Sequence, residues 1–189
     1  MLDKYNEFIQ EVNYWQEILP VLYTNNPKIV ELAFLKIYVK FEQFFIESFV
    51  HYATGGEGEN HYQPIRRLAF ADATHLEKIV KKIEHEYIDI KRIEQIADAV
   101  FVANNPFSQF FNDAQAKPLF TKMTTIRNFL AHESRESKVK YDKLIVQAYN
   151  LSAYDEPYLF LSKENFRHYY SFTEILKNFA NIIIGRIII

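Results

Sequence analysis

The chain has 189 residues, no cysteine and a formal net charge of −2, with 49% hydrophobic and 16% aromatic residues. That much apolar material excludes a disordered chain and suffices for one substantial core, so one compact domain over residues 1–189 is expected. The missing thiols exclude disulfides, thiolate metal sites and a cysteine nucleophile, and the near-neutral charge excludes a global field that would gather nucleic acid or an anionic membrane.

The N-terminus, MLDKYNEFIQEV, carries acids early and lacks a basic-then-apolar layout. No targeting segment is expected there, and the cysteine-free composition suits the cytoplasm. Tyr5, Phe8, Ile9, Val12, Trp15, Ile18, Leu19 and Leu22 recur at three- and four-residue steps. That spacing predicts an amphipathic N-terminal helix over 1–24, bent or ended by Pro20. Asn25, Asn26 and Pro27 then supply a cap and a first-turn proline for a long, largely apolar helix that should lie centrally. The run TGGEGEN, residues 54–60, holds three of the four glycines and predicts an exposed, flexible loop.

Thr74 and Glu77 have capping-box spacing before LEKIVKKI, and Asp89 can cap IKRIEQIADAVFV. Pro106 and Pro118 each fit the first turn of a helix. Between 144 and 161 the reading divides, LIVQAY being helical in pattern and YLFLS fitting a short strand. Ser162 is placed to start a last long helix. The tail FANIIIGRIII is apolar but only 11 residues long and contains Arg186. It falls short of the ~20 residues that span a bilayer, so it is expected to be a buried helix end or an oligomer contact, with no membrane partner. Together these elements predict an all-α, up-and-down helical bundle with short connections.

One stretch stands out, TTIRNFLAHESRES, residues 124–137. On a helical wheel Leu119, Met123, Ile126 and Leu130 form a core-facing stripe, with Arg127 on its shoulder. Asn128 and His132, four residues apart, project together from the other side, so His132 should face water or another chain. Around them, from Thr121 to Lys143, six basic residues stand against three acidic ones in a slightly acidic protein. Ser134, Arg135, Lys138 and Lys140 are therefore candidate substrate-binding groups for a phosphate backbone. The histidines elsewhere show no spacing suited to a metal site, and TGGEGEN lacks the Lys-Ser/Thr ending of a nucleotide-binding loop, so no metal and no cofactor are expected.

The segment RNFLAH resembles the Arg-(Asn/Asp/His)-x-x-x-His signature of HEPN domains, all-α bundles of which many are ribonucleases. The motif match covers Arg127 to His132; the layout match is broader, with the motif late in an all-α chain between a long apolar helix and a final one. The resemblance implies that Arg127 and His132 are catalytic, that Asn128 is the polar residue beside them, and that two motifs meet in a composite, metal-independent site of a two-fold homodimer. Where the branch of the family paired with a nucleotidyltransferase antitoxin has tyrosine, two residues after the histidine, this chain has Ser134, which speaks against that partner and leaves any antitoxin or regulatory partner open.

The chemistry stands beside the resemblance. RNA carries its own nucleophile, the 2′-hydroxyl, so a base, an acid and a cation that steadies the phosphorane can cleave it. Histidine supplies acid or base near neutrality, and a guanidinium can hold two phosphate oxygens. The expectation is an endoribonuclease, and the resemblance implies a role in toxin or antiviral defence. The alternative is a noncatalytic helical module that binds RNA or a protein through the same face.

Overall fold

A computed structural model describes residues 1–80, 90–103, 105–132, 134–151 and 156–186. Among them are eight α-helices: α1 (Leu2–Tyr23), α2 (Ile29–Ala53), α3 (Ala73–Val80), α4 (Ile90–Val100), α5 (Pro106–Asn112), α6 (Ala116–His132), α7 (Arg135–Tyr141) and α8 (Pro157–Ile184). A 3-10 turn (Glu59–His61) follows α2 and a π-helical turn (Asp142–Val146) extends α7. No strand occurs among the described residues; the nearest approach is a single antiparallel bridge between Arg66 and Phe101. The all-α class follows. No helix among the described residues is long and apolar enough to cross a membrane.

The helices distribute over two compact units, one built from Met1–Ile9, Lys40–Asp113 and Leu176–Ile189, the other from Gln10–Val39 and Ala114–Ile175. The first unit has an aromatic core. Phe8, Phe41, Phe44, Phe45, Phe49, Tyr52, Phe101, Phe107 and Phe110 are all buried, at about 1.5–3 kcal/mol each for removing such a side chain from water. Their rings meet mostly edge to face, as between Phe45 and Phe107 (5.3 Å, 88°) and between Phe110 and Phe179 (4.1 Å, 85°), the arrangement that ring quadrupoles prefer. Asn105 caps α5 by accepting from the backbone N–H of Ser108, with Pro106 at the first helical position as the sequence predicts.

Several local readings need correction. The loop at 54–60 is largely half-buried, with only Glu57 and Asn60 exposed. Gln63 donates to the carbonyl of Gly55 at 2.7 Å, and Glu59 receives both Nε and Nη2 of Arg186, so polar partners hold the glycine-rich run against the unit. The cap of α3 is Asp72, whose carboxylate accepts from the N–H of His75 at 2.7 Å; Thr74 already lies inside the helix. The capping role assigned to Asp89 falls outside the described residues.

The apolar tail is a buried helix end through Ile184. It stops at Gly185, whose φ of +87° is the left-handed conformation of a helix C-terminus. The Arg186 N–H then bonds back to the Asn181 carbonyl at 2.9 Å, closing the helix as such termini do.

In the second unit Trp15, Leu19, Phe34, Tyr38, Met123, Ile126, Phe160, Tyr169 and Phe172 are buried. Pro20 does not end α1, which runs on to Tyr23. Leu19 beside it is fully buried, and only the last turn forgoes the missing hydrogen bond. The segment YLFLS is helical, being the first part of α8, because Phe160 and Leu161 are both buried and the tyrosine and leucine beside them sit at helical steps.

Ser162 does not start the last helix. Its hydroxyl accepts from Tyr23, and the chain breaks just afterwards, at 163–166. There Glu164, Asn165 and Phe166 have φ of +52°, +57° and +64°, at a cost of roughly 1–2 kcal/mol for each residue in that left-handed region. Burial of Phe166 against Tyr23 (4.8 Å, 81°) and the Arg167–Glu164 ion pair (2.8 Å) oppose that cost.

Candidate functional site

Arg127, Asn128 and His132 all lie on α6, in the second unit. The helix is anchored by Ala116, Met123, Thr125 and Ile126, which are buried. Leu119 and Leu130, expected in the same stripe, are half-buried. Thr125 was not part of the predicted stripe. Its burial is tolerated because its hydroxyl donates to the carbonyl of Thr121 at 2.8 Å, the usual way a helical threonine satisfies itself.

Arg127 is half-buried, as a shoulder position requires. Its Nε is enclosed, while Nη1 donates to the Oδ1 of Asn128 at 3.1 Å. Neighbours on a helix point about 100° apart, so this bond needs the long arginine stem to turn toward the amide. Asn128 is thereby oriented with its Oδ1 toward the cation. His132 is the last residue of α6 and is exposed. A cation there would be favoured by the helix dipole.

The segment behind the motif is docked by aromatic packing. Phe129 stacks on Tyr141 (4.9 Å, 16°), joining α6 to α7. Tyr141 is buried, so its ring belongs to the core rather than to a base-stacking surface. Ser134, proposed above for substrate, is the N-cap of α7: its hydroxyl accepts from the Ser137 N–H at 3.1 Å. Its acceptor capacity is directed into the fold, although the residue itself is exposed.

Arg135, Lys138 and Lys140 are exposed along α7. Lys140 pairs with Glu136 one turn earlier at 2.7 Å, and that pair holds the Glu136 carboxyl below the usual carboxylate range through the hydrogen bond and the lysine charge. Arg135 and Lys138 are thus the more available of the three for phosphate. The structure therefore brings Arg127 and Asn128 into contact, leaves His132 at the open end of the same helix, and diverts Ser134 to capping.

Lys122, counted from the sequence only among the basic residues of 121–143, has a placement that the sequence did not show. It lies on α6 and donates to the hydroxyl of Tyr149 at 2.9 Å, with its ammonium 4.6 Å from the ring centroid. Tyr149 in turn meets His168 (5.0 Å), and His168 stacks on Phe160 (4.2 Å, 15°). The only signal for this cluster was a cation among aromatic residues far apart in sequence, which periodicity does not register.

Among the described residues no group of three or more His, Asp or Glu side chains is placed to hold a metal ion. Compared with known proteins, the chain matches no family model, no curated protein and no solved structure.

Proposed function

We propose that the chain is an endoribonuclease of HEPN type that acts without a metal as a two-fold homodimer in the cytoplasm, in toxin or antiviral defence. The observation that carries the reading is the arrangement on α6: a half-buried guanidinium bonded to the adjacent Asn128, followed one turn later by an exposed imidazole at the helix end. Such a pair suits a phosphodiester. The cation is held by its surroundings, and the titratable ring is open to solvent.

In the proposed reaction a neutral His132 accepts the proton of an RNA 2′-hydroxyl while that oxygen attacks the adjacent phosphorus. Arg127 stabilises the charge that gathers on the non-bridging oxygens. The P–O5′ bond then breaks, and the leaving oxygen takes a proton from a histidinium, giving a 2′,3′-cyclic phosphate and a 5′-hydroxyl. One imidazole cannot readily serve both sides of the phosphorus. A two-fold partner supplies a second His132, the physical reason for a composite site. Arg135 and Lys138 would hold the flanking backbone by salt-sensitive contacts.

The exposed basic residues of α7 also support a second reading, a helical module that binds RNA or a protein without cutting. Incubation of the purified protein with single-stranded RNA in EDTA, beside DNA of the same sequence, separates the two. Cleavage of RNA alone, lost in both His132→Ala and Arg127→Ala, supports the nuclease. RNA retention without cleavage by a folded dimer favours the module.

A further inference from the structure

The irregular stretch after the glycine-rich loop carries a short open edge. Arg66 bridges to Phe101 in antiparallel register, through the bonds Val102 N–H to Ile65 carbonyl (2.8 Å) and Arg67 N–H to Val100 carbonyl (2.8 Å). In this pattern the bonds flank Arg66 rather than join it to Phe101, so its own N–H and C=O are directed to the opposite side. Neither group makes a hydrogen bond among the described residues. A recess of about 360 Å³ runs along the segment, lined by Gln63, Pro64, Ile65, Arg66, Arg67 and Ala69.

The side chains alternate across this segment. Arg66 turns to the C-terminal end of α2, where Nη1 reaches the Ala53 carbonyl at 3.4 Å. Ile65 and Arg67 share the other face and are both exposed, Ile65 at 73%. By register Ile65 lies opposite Val102, itself 37% exposed, so two branched apolar side chains sit side by side in water next to the exposed Arg67.

The geometry points to a docking edge for an extended acidic peptide, which adds as one antiparallel strand along residues 65–67. The peptide's central residue exchanges both backbone bonds with Arg66. Its preceding residue, an aspartate or glutamate, then lies opposite Arg67, and its following residue, a valine or isoleucine, opposite Ile65. The recognised pattern is therefore acidic-x-branched apolar, with main-chain bonds giving affinity and the two side chains giving specificity. A second copy of the same edge would set one Arg66 directly opposite the other, and like charges directly opposite are unfavourable. Pro64 lacks an N–H and limits the edge to this one pair, so a weak, reversible contact is expected.

The test uses the full chain, ¹⁵N-labelled, titrated with a nonapeptide centred on Asp-Thr-Val between Ser and Gly flanks and followed by amide shifts. The Arg66 amide is expected to move downfield and to exchange more slowly. Binding should weaken at least tenfold in three cases: the same peptide N-methylated at Thr, its Asp replaced by Lys, and the Arg67→Glu protein. The N-methyl peptide leaves the protein untouched, so its failure to bind cannot be ascribed to misfolding. An Arg66 amide unmoved at millimolar peptide, or equal binding of the N-methyl peptide, overturns the proposal. So does an Arg66 shift that depends on protein concentration with no peptide present, which would assign the edge to a second copy.

Discussion

Arg127 donates from Nη1 to the Oδ1 of Asn128, its immediate neighbour on α6, at 3.1 Å. On the proposed activity this bond aims the guanidinium rather than charging it. Asn128→Ala should therefore lower kcat about tenfold while leaving thermal stability nearly unchanged, whereas Arg127→Ala removes the phosphorane's cation and costs about 10²–10³-fold. Arg127→Lys keeps the charge but not the planar fork and should recover only part of the loss. Single-turnover cleavage beside melting curves checks the set. Equal losses in Asn128→Ala and Arg127→Ala would show that the pair does not divide its work this way.

Ser134 and its neighbours separate a structural role from a binding one. Ser134→Ala removes the α7 cap and should cost about 1 kcal/mol of stability, seen as a fall in Tm, with RNA affinity at low temperature unaltered. Arg135→Ala and Lys138→Ala should do the reverse, leaving Tm in place and reducing the slope of log affinity against log salt by about one each. Filter binding across a salt series reads the difference.

Two buried tyrosines should respond oppositely to loss of the hydroxyl. In Tyr52 the hydroxyl donates to the Ile183 carbonyl at 2.6 Å, and burial pushes its pKa well up. In Tyr169 the buried hydroxyl has no hydrogen-bond partner among the described residues, and burial raises its pKa as well. Tyr52→Phe should destabilise by about 1–3 kcal/mol, because the Ile183 carbonyl loses the hydroxyl that donates to it. Tyr169→Phe should be neutral or stabilising, since an unsatisfied group is removed. Urea denaturation of the two variants gives the comparison.

His168 predicts a pH dependence. Its pKa is lowered from 6.5, first by burial against Phe160 and Tyr149 and then by the charge of Arg167; Lys163 and Lys122 act in the same direction, and only Glu164 opposes them. A depressed histidine means that the unfolded chain binds the proton more readily. Stability is then fully present above about pH 6.5 and declines as pH falls below it toward the folded pKa. Glu7, Glu136 and Glu164, whose carboxyls are held low mainly by hydrogen bonds from lysine or arginine, lose their contribution in a more acidic range, below their ordinary value of 4.5. Melting curves from pH 7.5 to 5 should thus slope downward, and His168→Gln should flatten them in that interval.

Much of the fold was legible because most of it obeys one period. The stripe from Tyr5 to Leu22 and the prolines at 106 and 118 mark helices that the structure contains. The readings that failed depended on tertiary context. YLFLS is helical because Phe160 and Leu161 are drawn into a core that no local window includes. The left-handed turn at 163–166 contains no glycine, and only Asn165 tolerates that conformation readily; packing of Phe166 on Tyr23 fixes it.

The site was legible in part for the same reason. Helical periodicity placed Arg127 at a boundary and His132 in the open. It had no means of foreseeing that the Ser134 hydroxyl would be turned inward, or that Lys122 would rest on Tyr149. Those contacts join residues whose spacing carries no shared period.

The central claim is that α6 presents an RNA-cleaving imidazole and guanidinium. It is tested most directly by incubating the purified protein in EDTA with an oligoribonucleotide, compared with the same strand carrying a single 2′-deoxy sugar at the cleaved position. The account predicts a 2′,3′-cyclic phosphate and a 5′-hydroxyl from the first, an uncut bond at that position in the second, and no product from either with His132→Ala. Cleavage that survives the 2′-deoxy sugar, or that persists undiminished in His132→Ala, would contradict it.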